Sequence, residues 1–379
     1  QEETIRHITI VAFGFVILCI IICLIVSFMS RRKHNKMVTT FNRATYEEKR
    51  KKTNRDDLEV KLFGNVEYKE HYIQTRDGEY ICLTEIISKD YHRNTAPVLL
   101  CHGSFTNRRF WISPKGVGIA KYLRDAHFSV WIIDFRGHGK SPKSNNYNNN
   151  TTNQHWAYYD LPDAVKYIRQ YTSHDKVSLV GHSLGGMTIT SSLHYGWVKE
   201  TDVEIAILVG TQYTHGKASL RDPLSRLIIR FFMIMYGYFP SETLGMGNEI
   251  ESNIWMEQFL AYYIQRYEGR KLIEDIYWQF NAIKELKEPH REVLGPKIVN
   301  TKVVCITSSK DNVDPPEGAY QLFQQLATTK KKFIKLGKGE TSNTDFTHPG
   351  MIVSKEAAKH VWPIISHYLL HHKMTEINS

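Results

Sequence analysis

Apolar residues along this chain fall into short runs, four to eight residues in most cases, set apart by polar stretches with helical spacing. Tyr68–Gln74 and Glu79–Ile87 are rich in strand formers and flank Arg76-Asp77-Gly78, which predicts an antiparallel hairpin. Pro97–Cys101 is too short for a helix and stops at His102-Gly103, so it predicts a buried strand. Ser129–Asp134, Lys176–Val180, Glu204–Val209 and Lys302–Thr307 have the same character. Helical stretches around Val117–Asp125, Leu161–Tyr171 and Met187–Tyr195 separate several of them. Buried strands alternating with helices define an α/β fold, a mostly parallel sheet covered on both faces. In such sheets reactive groups collect at the carboxyl ends of the strands.

Two segments depart from this rhythm. Ile8 to Met29 carries no charged side chain and is long enough to cross the roughly 30 Å hydrocarbon layer as one helix. Most of the nearby positive charge follows it, as Arg31, Arg32, Lys33, His34 and Lys36, which is the reverse of a cleaved secretory signal. The expectation is a single-span anchor whose basic side, with the rest of the chain, faces the cytosol or the mitochondrial matrix. Gln1 is not an initiator, so a processed or trimmed N-terminus is expected, and a removed targeting sequence makes the mitochondrion a candidate. Residues 1–65 then form the anchor and a charged linker, and residues 66–379 the α/β domain. The second segment, about 213–300, is rich in aromatics and methionine, including Phe231-Phe232-Met233-Ile234-Met235-Tyr236. Its composition fits ordinary helical packing, and its position fits a cap over the site.

Composition narrows the function. Of all residues 42% are hydrophobic and 23% charged, enough apolar material for a sizeable core. The net charge of +10 comes largely from Arg31 to Arg55, beside the apolar segment, and no nucleic-acid motif accompanies it. That distribution favours an anionic membrane surface over nucleic acid. The five cysteines are odd in number, with Cys19 and Cys23 in the anchor and Cys82, Cys101 and Cys305 in strand-like runs. They make no disulfide framework, which favours a reducing compartment.

The chemistry enters at Gly181-His182-Ser183-Leu184-Gly185-Gly186. Gly-x-Ser-x-Gly alone arises by chance in about one chain of this length in ten. Here a β-branched strand precedes it and a helix follows, the context of a nucleophile elbow. The Leu184 amide would then sit at a helix N-terminus, where the dipole favours a developing oxyanion. A serine hydroxyl needs a base, and the base needs an orienting carboxylate. Asp311 follows the Lys302–Thr307 strand and His348 follows Asp311, in the chain order this elbow calls for. Asp314 is the rival acid and Asp345 a weaker one; His360, His367, His371 and His372 are rival bases. His182, beside the apex serine, reads as a packing residue, and His102 and His138 as holders of loop backbone. No zinc spacing, phosphate loop or cofactor fingerprint is present, so neither metal nor cofactor is expected.

With Leu100-Cys101-His102-Gly103-Ser104, Asp134-Phe135-Arg136-Gly137-His138-Gly139-Lys140-Ser141, the elbow, Asp311 with Pro315, and His348, the chain resembles the α/β-hydrolase superfamily, particularly its esterase and lipase members, over about Val66 to His371. The resemblance implies that Ser104, after the first His-Gly, supplies the second oxyanion-hole amide. The run Tyr238-Phe239-Pro240 to Leu244-Gly245-Met246-Gly247 is similar to a group of uncharacterised bacterial esterases. A serine hydrolase acting on lipid-like or small carboxylic esters is the expected function. The alternative is a catalytically silent subunit of a larger membrane complex, because fold does not fix function.

Overall fold

The computed structural model describes residues 65–371, apart from 89, 93, 105, 113–117, 143–152, 213–297 and 343. The anchor expected at 8–29, most of the linker and nearly all of the cap expected at 213–300 lie outside the described residues. Among the described residues no helix is long and apolar enough to cross a membrane.

Eight strands form one sheet: β1 Tyr68–Gln74, β2 Tyr80–Ile86, β3 Val98–Cys101, β4 Val130–Asp134, β5 Val177–His182, β6 Val203–Val209, β7 Lys302–Ser308 and β8 Lys331–Leu336. Their spatial order is β1-β2-β4-β3-β5-β6-β7-β8. The opening hairpin pairs antiparallel and joins β4 antiparallel; every pairing from β4 to β8 is parallel. β3 and β4 are buried at every position, as the apolar runs require of strands covered on both faces. The chain leaves β3 for β4 on one side and returns to β5 on the other. That reversal leaves a crevice at the carboxyl ends of β3 and β5.

Helices α1 Ile119–Asp125, α2 Leu161–Thr172, α3 Leu184–His194, α4 Pro316–Gln325 and α5 Trp362–His371 cover the sheet. Two apolar clusters lie on its two faces. One joins α1 and α5 to Val98, Leu100, Val130, Ile132 and Val180. The other joins α2, α3 and α4 to Leu99, Trp131, Ile133, Val177 and Leu179. Alternate residues of one strand thus feed opposite cores, the two-residue period of a pleated strand.

β8 and α4 have no counterpart among the elements expected from pattern. β8 carries Lys331, Lys332 and Lys335 and lies at the sheet edge, where lysine prevents pairing with another chain. Only Ile334 and Leu336 of that strand are buried, so its apolar signal is short. Lys331 also spends its ammonium on the Phe323 and Leu326 carbonyls that end α4, at 2.9 and 2.7 Å.

The Asp134–Ser141 motif is a clasp. Asp134 accepts the Arg108 amide at 2.6 Å and the Lys140 amide at 2.9 Å, while Ser141 accepts the Cys82 amide at 2.8 Å and donates to the Asp134 carbonyl. It ties the end of β4 to β2 and to the loop after β3. Arg108 itself is buried, with its guanidinium on Glu70 at 2.8 Å and Thr84 at 2.9 Å. Its Nε also lies 3.8 Å from Asp134, so removing Glu70 leaves a buried charge with only part of its pairing. Glu70→Ala is therefore expected to destabilise the fold by about 1–3 kcal/mol, since Asp134 and Thr84 remain on the guanidinium, read from the urea midpoint.

Candidate active site

Ser183 sits at the turn from β5 into α3 with φ 53° and ψ −123°, a positive-φ conformation that costs a non-glycine residue about 1–3 kcal/mol. The surroundings hold it there. Its amide donates to the Val209 carbonyl of β6 at 3.0 Å, and α3 begins at once with Leu184. A Cβ at Gly185 would run into the carbonyl oxygens of Cys101 and His102, so glycine is what lets the start of α3 abut the end of β3. The expected start at Met187 is corrected to Leu184, because the strained serine turns the chain directly into its first helical residue. The Leu184 amide is thereby among the helix's first N–H groups, which have no partner within the helix. Ser104, two residues beyond His102, is half-buried.

His348 lies in the loop after β8, and its Nδ1 is 2.8 Å from Asp311 Oδ2, with Asp311 buried in the loop after β7. Asp311 Oδ1 accepts the Val313 and Asp314 amides at 3.0 and 2.8 Å, which fixes the carboxylate and leaves Oδ2 for the imidazole. With Nδ1 donating to Asp311, Nε2 carries the lone pair. His182 packs beside His348 with ring centroids 4.5 Å apart, and its Nε2 donates to the His348 carbonyl at 3.0 Å. That bond ties the residue before Ser183 to the backbone of the loop that carries His348.

Gly210, after β6, has φ 52°; a Cβ there would lie 3.1 Å from His348 Nδ1 and 3.2 Å from Asp311 Oδ2. Sequence reasoning missed this glycine, whose missing side chain makes room for the pair. It also missed Gln212, whose Nε2 donates to Asp314 Oδ1 at 2.5 Å. Asp314 is wholly buried, and its Oδ2 accepts the Ser183 hydroxyl at 3.5 Å. Among the described residues that carboxylate, not His348, is the hydrogen-bond partner of the Ser183 hydroxyl. Nucleophile–base contacts in unliganded sites are commonly long and tighten on substrate binding.

Of the rivals, Asp314 is thus in the site, and the others are elsewhere. Asp345 accepts the Lys338 amide at 3.2 Å and lies 3.7 Å from the Lys310 ammonium. His360 pairs with Glu356 on a short surface helix and His367 lies against Tyr368 and His371 on α5, while His372 lies outside the described residues. His102 Nδ1 donates to the Gly103 carbonyl at 2.8 Å and its Nε2 accepts the Phe135 amide at 3.2 Å; His138 Nδ1 meets the Arg136 carbonyl at 3.1 Å.

Burial lowers the affinity of His348 for a proton, but the adjoining Asp311 carboxylate, with a smaller contribution from Asp314, outweighs it and raises the imidazole above its ordinary value. His182 is pushed down to about 3, first by burial and then by His348, and stays neutral. A base must be unprotonated to accept a proton, so with His348 as the base activity is expected to fall as pH drops through the His348 value. The acid limb of kcat/KM for a neutral ester is expected above pH of about 6.5, checked by a pH–rate profile.

A family model of the alpha/beta hydrolase fold matches residues 96–341. The chain belongs to the α/β-hydrolase family. Among curated proteins it is 28% identical over 145 residues to human lysosomal acid lipase/cholesteryl ester hydrolase, covering 35% of this chain and 36% of that protein. It is 32% identical over 158 residues to triacylglycerol lipase 1 of Arabidopsis thaliana, covering 38% of each. The chain thus spans little more than a third of these relatives' length. Its fold superposes with a TM-score of 0.59 on a soluble variant of monoglyceride lipase from Saccharomyces cerevisiae, at 14% identity over 83% of this chain and 98% of that one.

Proposed function

We propose that the chain is a serine hydrolase of carboxylic esters, with Ser183 as nucleophile, His348 as general base and Asp311 as its orienting carboxylate. The observation that carries this reading is the strained Ser183 at the elbow together with a His348 imidazole that packs on the adjoining His182, ring centroids 4.5 Å apart, and is held at 2.8 Å by a buried Asp311. The Ser183 proton passes to His348 Nε2 as Oγ attacks the ester carbonyl. The carbonyl oxygen takes the negative charge between the amides of Leu184 and Ser104. His348 then protonates the leaving alcohol, and a water deprotonated by the same imidazole cleaves the acyl-enzyme.

The lipase names of the curated relatives support an ester substrate. The apolar run at 8–29 supports a membrane anchor facing its basic flank to the cytosol or matrix. A tethered site meets membrane-dissolved esters at high effective concentration, which favours a lipid-like substrate. The test is labelling of the folded chain with a fluorophosphonate probe, followed by a graded series of acyl esters. Labelling at Ser183 with turnover supports the hydrolase. Folded protein that neither labels nor turns over esters would leave the silent accessory subunit, and co-purification in mild detergent would identify its complex.

A further inference from the structure

Beyond the three residues of the proposed relay, the site holds a second buried carboxylate. Asp314 Oδ2 is 3.5 Å from the Ser183 hydroxyl, and its Oδ1 is held by the Gln212 side-chain amide at 2.5 Å. Gln212 reaches it from the end of β6, on the far side of the 213–297 insertion in sequence. A carboxylate with no water around it is costly unless paired or hydrogen-bonded.

We propose that Asp314 is a positioning residue of the same site: it holds the Ser183 hydroxyl in the resting enzyme and, once that proton reaches His348, joins Asp311 in stabilising the imidazolium. The proposal rests on the serine-hydrolase reading. In the resting state Oγ–H points to Asp314 Oδ2. On substrate binding the hydroxyl turns, the Oγ–H bond breaks, Nε2–H forms, and the Oγ electron pair makes the bond to the acyl carbon. The carbonyl π pair moves onto oxygen. Asp314 takes no proton in this sequence.

The described groups around His348 make the charge count short. Asp311 lies at 2.8 Å, Asp314 contributes from the nucleophile side, and the neighbouring ring is His182, which is neutral at working pH. Gly210 and Met351 bring no charge. Asp311 is bonded to the imidazole, and Asp314 adds its charge from beside the Ser183 hydroxyl, 3.5 Å from Oγ. Proton transfer from Ser183 turns that imidazole into a cation, and removing one carboxylate weakens the field that favours the cation.

The test is the pH profile of kcat/KM for a neutral ester, measured on the full chain and on Asp314→Asn, which keeps the shape and removes the charge. The acid limb is expected to move down by about half a pH unit or more, so that below the limb the variant keeps about threefold more of its plateau rate. A residue that merely packs would lower the plateau or the melting temperature and leave the limb in place; an unmoved limb overturns the proposal. If Asp314→Asn does not fold, Asp314→Ser makes the same comparison, and failure of both to fold shows a structural carboxylate and overturns it. If the wild-type chain neither labels with fluorophosphonate nor turns over esters, the hydrolase reading has failed instead. An NMR titration of His348 with and without the Asp314 charge then decides whether that carboxylate acts on the imidazole.

Discussion

Ser183→Ala is expected to lower ester turnover by roughly 10^4 to 10^6-fold, with loss of fluorophosphonate labelling and little change in KM. The size follows from what the hydroxyl does in the proposed mechanism. It supplies the atom that forms the acyl-enzyme, and with it gone the imidazole has nothing to deprotonate but water. Because the lost interaction belongs to the transition state, kcat should absorb the effect. Stability should fall by no more than about 1 kcal/mol, since alanine inherits the same φ of 53° and the Val209 bond uses the backbone amide, while Asp314 loses only a long hydrogen bond of 3.5 Å and keeps Gln212. Ser183→Gly should match alanine in activity and melt higher, because glycine adopts that conformation without strain. A variant that kept a hundredth of the activity would place the nucleophile elsewhere.

Asp311→Asn is expected to lower kcat by about 10^4-fold. Asp311 Oδ1 is committed to the Val313 and Asp314 amides, so an asparagine at this position must keep its carbonyl oxygen there. Its NH2 group then points at His348 Nδ1. A donor facing Nδ1 selects the tautomer with the proton on Nε2, the atom that must receive the Ser183 proton. The backbone bonds survive and the chain should remain folded, while the base is held in the wrong form. The same change removes the largest influence raising the His348 proton affinity, so residual activity should extend to lower pH. Circular dichroism and a pH–rate profile check both parts. Full activity in this variant would return attention to Asp314 as the orienting acid.

The central strands were legible because their apolar character is nearly unbroken. β3, β4 and β7 begin and end within two residues of the runs that predicted them, since a strand buried on both faces has no polar side to blur the signal. β8 was illegible for the opposite reason: lysines guard the edge of the sheet, and their polarity hides the strand. Ser183, Asp311 and His348 were named from turn context and chain order. Gly210 and Gln212 were not, because each acts on residues about a hundred or more positions away and carries no local pattern.

The sequence alone determined the fold class and singled out the residues proposed to react, because burial period and turn chemistry are local and are written in adjacent positions. Only the tertiary structure decided how those residues meet: that the Asp311 carboxylate divides between two backbone amides and the imidazole, and that the resting Ser183 hydroxyl rests on Asp314. Asp311 and Asp314 are three positions apart in one loop and chemically identical in sequence. Their roles separate only when β6 delivers Gln212 to one of them and the loop after β8 delivers His348 to the other. Distances between strand ends set that choice, and no local pattern encodes them.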